Sequence, residues 1–317
     1  MKADNAVLEP TPEQFTNPVA RYFAATRPPF LSATLVACLL GLAVAASSGI
    51  AINTVAALIT VLLALLIHAA VNVINDYCDA LNGTDAANTE RVFPFTGGSR
   101  FIQNGVLTPL QTAYFGYALL ALAAVGGLWL AWQAGGGLLA IGAAGLLIGW
   151  AYSAAPLKLN SRGLGELCVL AGFLGVVVGA DYVQRHAFAT QPWLIGLPYA
   201  LLVTNLLYIN QFPDRAADAA AGKRHWVVRL PLPVAVLIYP LLVGLALGIL
   251  LMLAQRGLIP SIALLSALPM LLSLQAAAIL RRHAGEPAAL LPAIRLTILA
   301  MLAHGILLSV LLLWNHA

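Results

Sequence analysis

Nine stretches of this chain stay apolar for about 20 residues, the length a helix needs to cross the roughly 30 Å hydrocarbon core of a bilayer. They cover 29–47, 52–74, 110–132, 136–155, 164–184, 192–212, 231–254, 259–280 and 289–314. An unpaired peptide group in lipid costs several kcal/mol, so a run of this length crosses the membrane as a helix. The expected fold is all-α: a polytopic membrane protein with nine transmembrane helices in one bundle, built from two pseudo-related halves. That bundle occupies 29–317 behind a tail of residues 1–28. The tail carries Lys2, Asp4, Glu9, Glu13, Arg21 and Arg27 with no apolar core of its own, which reads as an extramembrane segment rather than a cleavable signal. A soluble fold is excluded by composition, because only 9% of the 317 residues are charged where a soluble domain has about 25%. Cys38, Cys78 and Cys168 are scattered without paired or metal-ligand spacing and read as small apolar fillers.

The connections fall into two kinds. Those near 48, 134, 188 and 257 are minimal, whereas 75–109, 156–163, 213–230 and 281–288 are long and polar. Fourteen of the sixteen Lys and Arg lie in the tail, in the long loops or at the start of the last span; only Arg185 and Arg256 lie on the other side. The positive-inside bias then places the tail and long loops in the cytoplasm, and nine spans put the C-terminus across the membrane. The expected location is the cytoplasmic, or inner, membrane. The net charge of +4 is accounted for by this asymmetry; no basic stripe interleaved with aromatics points to nucleic acid.

Six of the twelve acidic residues gather in two patches on the cytoplasmic side, Asp76, Asp79, Asp85 and Glu90 after span two and Asp214 and Asp218 after span six. Carboxylates at a helix C-terminus oppose the helix dipole, so a compensating cation is called for. In the first patch His68, Asn72, Asp76 and Asp79 step by one helical turn each, and in the second Asn210, Asp214 and Asp218 do the same. Two matched patches four helices apart imply facing acidic helix ends. Carboxylates are hard oxygen ligands of the kind Mg²⁺ takes one or two at a time, with phosphate oxygens and water completing its shell. Arg91, Arg100, Lys158, Arg162, Lys223 and Arg224 lie in the adjoining loops and are expected to meet phosphate oxygens. A charged head held there and a tail among apolar helices describe a polyprenyl diphosphate. The alternative from another class is a transporter, but a carrier places its charges near the bilayer midplane.

The motifs NDYCD (Asn75 to Asp79), YSAAPLKL (Tyr152 to Leu159) and DRAAD (Asp214 to Asp218) followed by GKR resemble those of the UbiA superfamily of intramembrane aromatic prenyltransferases, as do the nine spans over nearly the whole chain. NGTD at 82–85 and FTGGSRFIQNGVLTP at 95–109 resemble the branch that prenylates 1,4-dihydroxy-2-naphthoate. The resemblance implies a Mg²⁺-dependent enzyme with Asp76, Asp79, Asp85, Asp214 and Asp218 as metal ligands, and Asn72, Asn75 and Asn210 at the substrate. The family's first motif has its last Asp four residues after Asp79, where this chain has Gly83, and Asp85 is the nearest carboxylate. Mechanistically the resemblance implies that the diphosphate departs, and that an aromatic acceptor attacks the allylic cation in a water-free cavity. Other acceptors, such as 4-hydroxybenzoate, haem or homogentisate, and cyclisation without an acceptor, are the alternatives within it. Tyr152 either faces the cation or acceptor or is an interfacial tyrosine. His68 reads as a hydrogen-bonded bundle histidine, and Glu166 as a partner for a nearby base or the acceptor's proton. Asp181 is expected to pair with Arg185, and Pro213 to end or kink span six.

Overall fold

The structure, a computed structural model, describes residues 8–314. Lys2 and Asp4 of the tail lie outside the described residues. Among those described there are twelve α-helices, no strand, and a few 3-10 turns. The helices are α1 (Pro18–Ala25), α2 (Pro28–Ser47), α3 (Thr54–Asn82), α4 (Thr84–Ala87), α5 (Pro109–Ala134), α6 (Gly137–Ser153), α7 (Gly165–Arg185), α8 (Gln191–Ala220), α9 (Trp226–Arg229), α10 (Leu232–Gln255), α11 (Met270–His283) and α12 (Leu291–Leu313). Starts are set by local chemistry: the Asn53 side chain accepts the Ala56 N–H at the head of α3, and Thr108 forms a reciprocal cap with Gln111 at the head of α5.

Eight apolar helical segments are long enough to cross a bilayer; the ninth expected span, 136–155, forms the shorter 17-residue α6. Expected span 259–280 is a composite, a 3-10 segment at Ser261–Ala267 leading into α11. Large apolar side chains point outward along α3, α5 and α10, among them Leu58, Leu62, Leu122, Leu128, Leu237 and Leu241, as a lipid-facing surface requires. Helix α8 is the opposite case, with 78% of its apolar window enclosed against 17% for α3.

Because lipid tails are as apolar as leucine, helices in such a bundle associate through close backbone approach and interhelical hydrogen bonds. Both occur here. Gly41 of α2 sits against the carbonyl of Val177 on α7, where a Cβ would collide with backbone. Tyr199 and Tyr208 on α8 donate to the carbonyls of Ala33 and Ala235, each at 2.8 Å, and Asn205 donates to that of Tyr239. These bonds tie α8 to α2 on one side and α10 on the other, and each is worth roughly 1 kcal/mol.

Two helices run past the ends of their apolar spans, and both extensions build the site. Helix α3 runs past residue 74 to Asn82, stopped by Gly83 at φ 81°, the left-handed cap that glycine adopts without strain. Helix α8 continues through Pro213 to Ala220 rather than ending there. A proline in a helix forfeits one backbone bond, but α2, α7, α10 and α12 all pack on α8, and such enclosure holds a proline-bearing membrane helix together.

Candidate active site

A cavity of about 1130 Å³ runs between α3, α5, α6, α7 and α8. It is lined by α3 from Thr60 to Asp79, which at 1.5 Å per residue is a length of about 28 Å. Its long body is apolar, with Ile67, Leu128, Leu146 and Phe173 on the wall and glycines such as Gly145 and Gly175 leaving width. Its mouth is polar and holds Asp79, Asp85, Asp214, Asp218 and Lys223.

The extra turns of α3 and α8 make that mouth. On α3, Asn72, Asn75 and Asp79 share the face turned to the cavity. Asp79 and Asp218, expected on opposing helices, are joined by Lys223, whose Nζ lies 2.9 Å from Asp79 Oδ2 and 3.2 Å from Asp218 Oδ1. His225 holds the other oxygen of Asp218 at 2.9 Å. The two acidic patches therefore meet. A loop completes the enclosure: Gly97 N–H reaches Asp214 Oδ2 at 3.4 Å and Ser99 N–H reaches Asp76 Oδ1 at 3.2 Å, while Asn88 donates to Asp214 Oδ1 at 2.5 Å. A Cβ on Gly98 would lie 2.5 Å from Asp85 Oδ2, and its φ is +74°, so a side chain is excluded twice over.

Burial pushes Asp85 up to about 8, and the Asp79 and Asp76 carboxylates add to the shift. Burial alone would depress Lys223, but Asp79 and Asp218 outweigh it and raise the ammonium well above its usual range. The mouth thus carries more negative charge than its one buried lysine balances, and its surplus oxygens suit a hard divalent cation. Among the described residues no three of His, Cys, Asp and Glu converge on a single point. Mg²⁺ is a cation characteristically held through one or two carboxylates and substrate phosphates rather than in a protein cage. Asp79, Asp85, Asp214 and Asp218 fit such an ion.

Several expected residues stand elsewhere. Asp76 is 4% exposed and bonded to Ser99, and it is not among the residues lining the cavity. The four-residue stripe divides because the step of three from Asp76 to Asp79, and the turn of the helix over eleven residues, carry Asp76 toward the loop. Of the six basic residues assigned to phosphate, only Lys223 lines the cavity. Arg91 pairs with Glu9 at 2.6 Å and donates to the Asn88 carbonyl; Arg100 donates to the Asp85 carbonyl and lies 3.7 Å from Glu9. They brace the loop from behind, since Glu9 in the tail offers a carboxylate that sequence distance concealed. Phe15 on Phe101 extends this clasp between tail and loop, and Tyr22 on Phe115 ties the tail to α5. Lys158, Arg162 and Arg224 are exposed, and Arg162 donates to the Pro156 carbonyl. Asn210 and Tyr152 line the cavity. Glu166 is met by Gln211 rather than by a base. His68 bonds Thr34 at 2.7 Å, and Arg185 forks onto Asp181 at 2.7 and 2.8 Å, both as expected.

Arg27, Asn88, Thr96, Gly97, Gly98 and His225 line the mouth without having been singled out. The Gly97-Gly98 pair and the GKRH run were visible signals; Arg27, assigned to the tail, gave none. Its Nη2 donates to the Phe95 carbonyl at 3.3 Å.

The sequence profile of the UbiA prenyltransferase family matches residues 34–303. A 1,4-dihydroxy-2-naphthoate octaprenyltransferase of Mycobacterium tuberculosis is 32% identical over 55% of this chain and 58% of that protein. The enzyme of the same name from Escherichia coli is 29% identical over 69% of this chain and 71% of its own length. The aligned region thus spans little more than half of the first of these relatives. Among solved structures, a UbiA homologue from Archaeoglobus fulgidus bound to DMAPP and Mg²⁺ superposes with a TM-score of 0.62 at 16% identity, over 92% of this chain and all of that one.

Proposed function

This chain belongs to the UbiA prenyltransferase family, and from that premise we propose that it transfers a polyprenyl group from its diphosphate to an aromatic acceptor, 1,4-dihydroxy-2-naphthoate, with Mg²⁺. The observation that carries this reading is the joining of Asp79 and Asp218 by Lys223, with Asp85 and Asp214 lining the same mouth, at the head of an apolar cavity about 1130 Å³ in volume. The naphthoate comes from the names of the relatives. The tail and long loops face the cytoplasm on this reading, as the distribution of Lys and Arg suggests.

Mg²⁺ bound by these carboxylates supplies Lewis-acid stabilisation of the departing diphosphate. Lys223 adds a fixed positive charge beside the leaving oxygen, and the N–H of Gly97 and the amide of Asn88 hold Asp214 in place so that little reorganisation accompanies the charge that develops. The allylic C–O bond breaks with its electron pair going to diphosphate. The apolar walls, with Ile67, Leu146 and Phe173, keep water from the resulting cation, and Tyr152 presents a ring beside it. A ring carbon of the acceptor then forms the new C–C bond and loses either its proton or, where a carboxyl occupies the attacked carbon, CO₂.

The test is purified protein in detergent with a radiolabelled prenyl diphosphate and a panel of acceptors. Diphosphate release that requires Mg²⁺, stops with a chelator and produces prenylated naphthoate is expected. Release with a benzoate alone would reassign the acceptor; the absence of release under every condition would refute prenyl transfer.

A further inference from the structure

Arg91 and Arg100 do not line the cavity, yet each ends on a backbone carbonyl beside its mouth. Arg91 Nη1 donates to the Asn88 carbonyl at 2.6 Å, and Arg100 Nη1 donates to that of Asp85. The two residues held in this way are ones whose side chains enter the mouth. Asn88 Nδ2 donates to Asp214 Oδ1, and Asp85 is itself one of the four carboxylates there. The stem of Arg91 backs a second donor to Asp214. A Cβ on Gly97 would lie 2.7 Å from Arg91 Cβ and Cδ, so this side chain rests directly against the residue whose N–H reaches Asp214 Oδ2.

Neither arginine is placed without cost. Arg100 is buried, and burial together with the charge of Arg91 draws its pKa below the ordinary value. Two cations brought together repel. Glu9 offsets that repulsion. Its Oε1 meets Arg91 Nε and Nη2, both at 2.6 Å, while its Oε2 lies 3.7 Å from Arg100 Nε and accepts from Asn104 Nδ2 at 3.1 Å. Hydrogen bonds between ionised partners are the short and strong kind, so one carboxylate in the tail fixes both guanidinium groups. Glu9 itself does not line the cavity, and it lies ahead of residues 34–303, where the family profile matches.

We propose that Glu9 is a positioning residue for the Mg²⁺ site: by holding Arg91 and Arg100 it fixes the backbone at Asn88 and Asp85, and with it the directions of the Asp85 and Asp214 carboxylates. The inference rests on the prenyl-transfer reading for the identity of the ion. Asp85 stands on α4 and Asp214 on α8, so no helix geometry sets the spacing of their oxygens. Something outside both helices must set it, and the bracket of Glu9 with its two arginines does so from the loop's side. Groups that orient metal ligands from behind are typically worth about 10–100-fold in metal affinity.

Calorimetric titration of Mg²⁺ and inorganic diphosphate into the purified full chain in detergent reads the site without turnover. Glu9→Gln keeps the length of the side chain and an acceptor for Asn104 but loses the charge. It is expected to raise the Mg²⁺ concentration needed for diphosphate binding about tenfold or more, with little change in the thermal midpoint, because a partly exposed ion pair adds little stability. Phe15→Ala loosens the tail on Phe101 without touching either arginine, and should leave the Mg²⁺ requirement at that of the unaltered protein. Hydrogen exchange with no ligand added should show the Gly97 and Ser99 amides opening faster in Glu9→Gln. An unchanged Mg²⁺ requirement in Glu9→Gln overturns the proposal, as does an equal loss in Phe15→Ala, which would reduce the tail to a general support. Failure of the unaltered protein to bind diphosphate with Mg²⁺ would instead refute the prenyl-transfer reading. The exchange measurement then decides on positioning by itself, and unchanged exchange at Gly97 and Ser99 overturns it.

Discussion

A lysine that is 8% exposed and held between Asp79 and Asp218 can be removed only by leaving two buried carboxylates facing one another. Breaking such an arrangement by deleting one partner costs about 3–5 kcal/mol. Lys223→Met is therefore expected to lower the thermal midpoint of the purified protein measurably, and an unchanged midpoint would show that the bridge carries no stability. Asp214→Asn is a different experiment. It keeps the Asn88 contact and the volume while removing a charge, so turnover should fall at least about a hundredfold, the scale of a lost electrostatic stabiliser, with the melting curve intact. Near-normal turnover would take Asp214 out of the metal site. Gly98→Ala meets both a positive φ and the Asp85 carboxylate; we expect it to reduce Mg²⁺-dependent turnover about tenfold or more, and full activity would mean that the loop is free to shift.

Helices reveal what could and could not be read from the chain. The apolar runs were plain because lipid permits little else, and eight of the nine returned as helices of spanning length. Their ends were harder. Helix α3 outruns its apolar span at 74, as the one-turn steps from Asn72 to Asp79 require, and the added turns bring Asn75 and Asp79 into the cavity. Pro213 was read as ending or kinking span six; it does not end it, because termination by proline is a local rule and α8 is enclosed by four neighbours. The carboxylates were legible from their spacing, whereas the fate of Arg91 and Arg100 turned on Glu9, more than eighty positions away, which no local pattern reports. Close helix approach sets a separate expectation. Gly41→Ala drives a methyl group into the backbone of α7, where no side chain can yield. A loss of about 1–3 kcal/mol in resistance to unfolding is expected from such overpacking, and unfolding at the unaltered denaturant concentration would argue that α2 and α7 can separate.

At the level of the whole molecule, the cavity relates the mouth to the depth of the bundle. Gly145 of α6 lies on its wall, and a side chain there would meet nothing within 4 Å except the space itself. Gly145→Leu should leave folding alone and shorten the prenyl chain that is accepted: transfer from a short diphosphate continues while transfer from a long one falls about tenfold or more, measured side by side. Equal loss on both would place the tail elsewhere. The clasp formed by Glu9 and Phe15 on the loop above the carboxylates bears on how the protein is handled. Proteolytic trimming that reaches Glu9 would strip Arg91 and Arg100 of the carboxylate they share, so a weak preparation should first be checked for loss of that stretch.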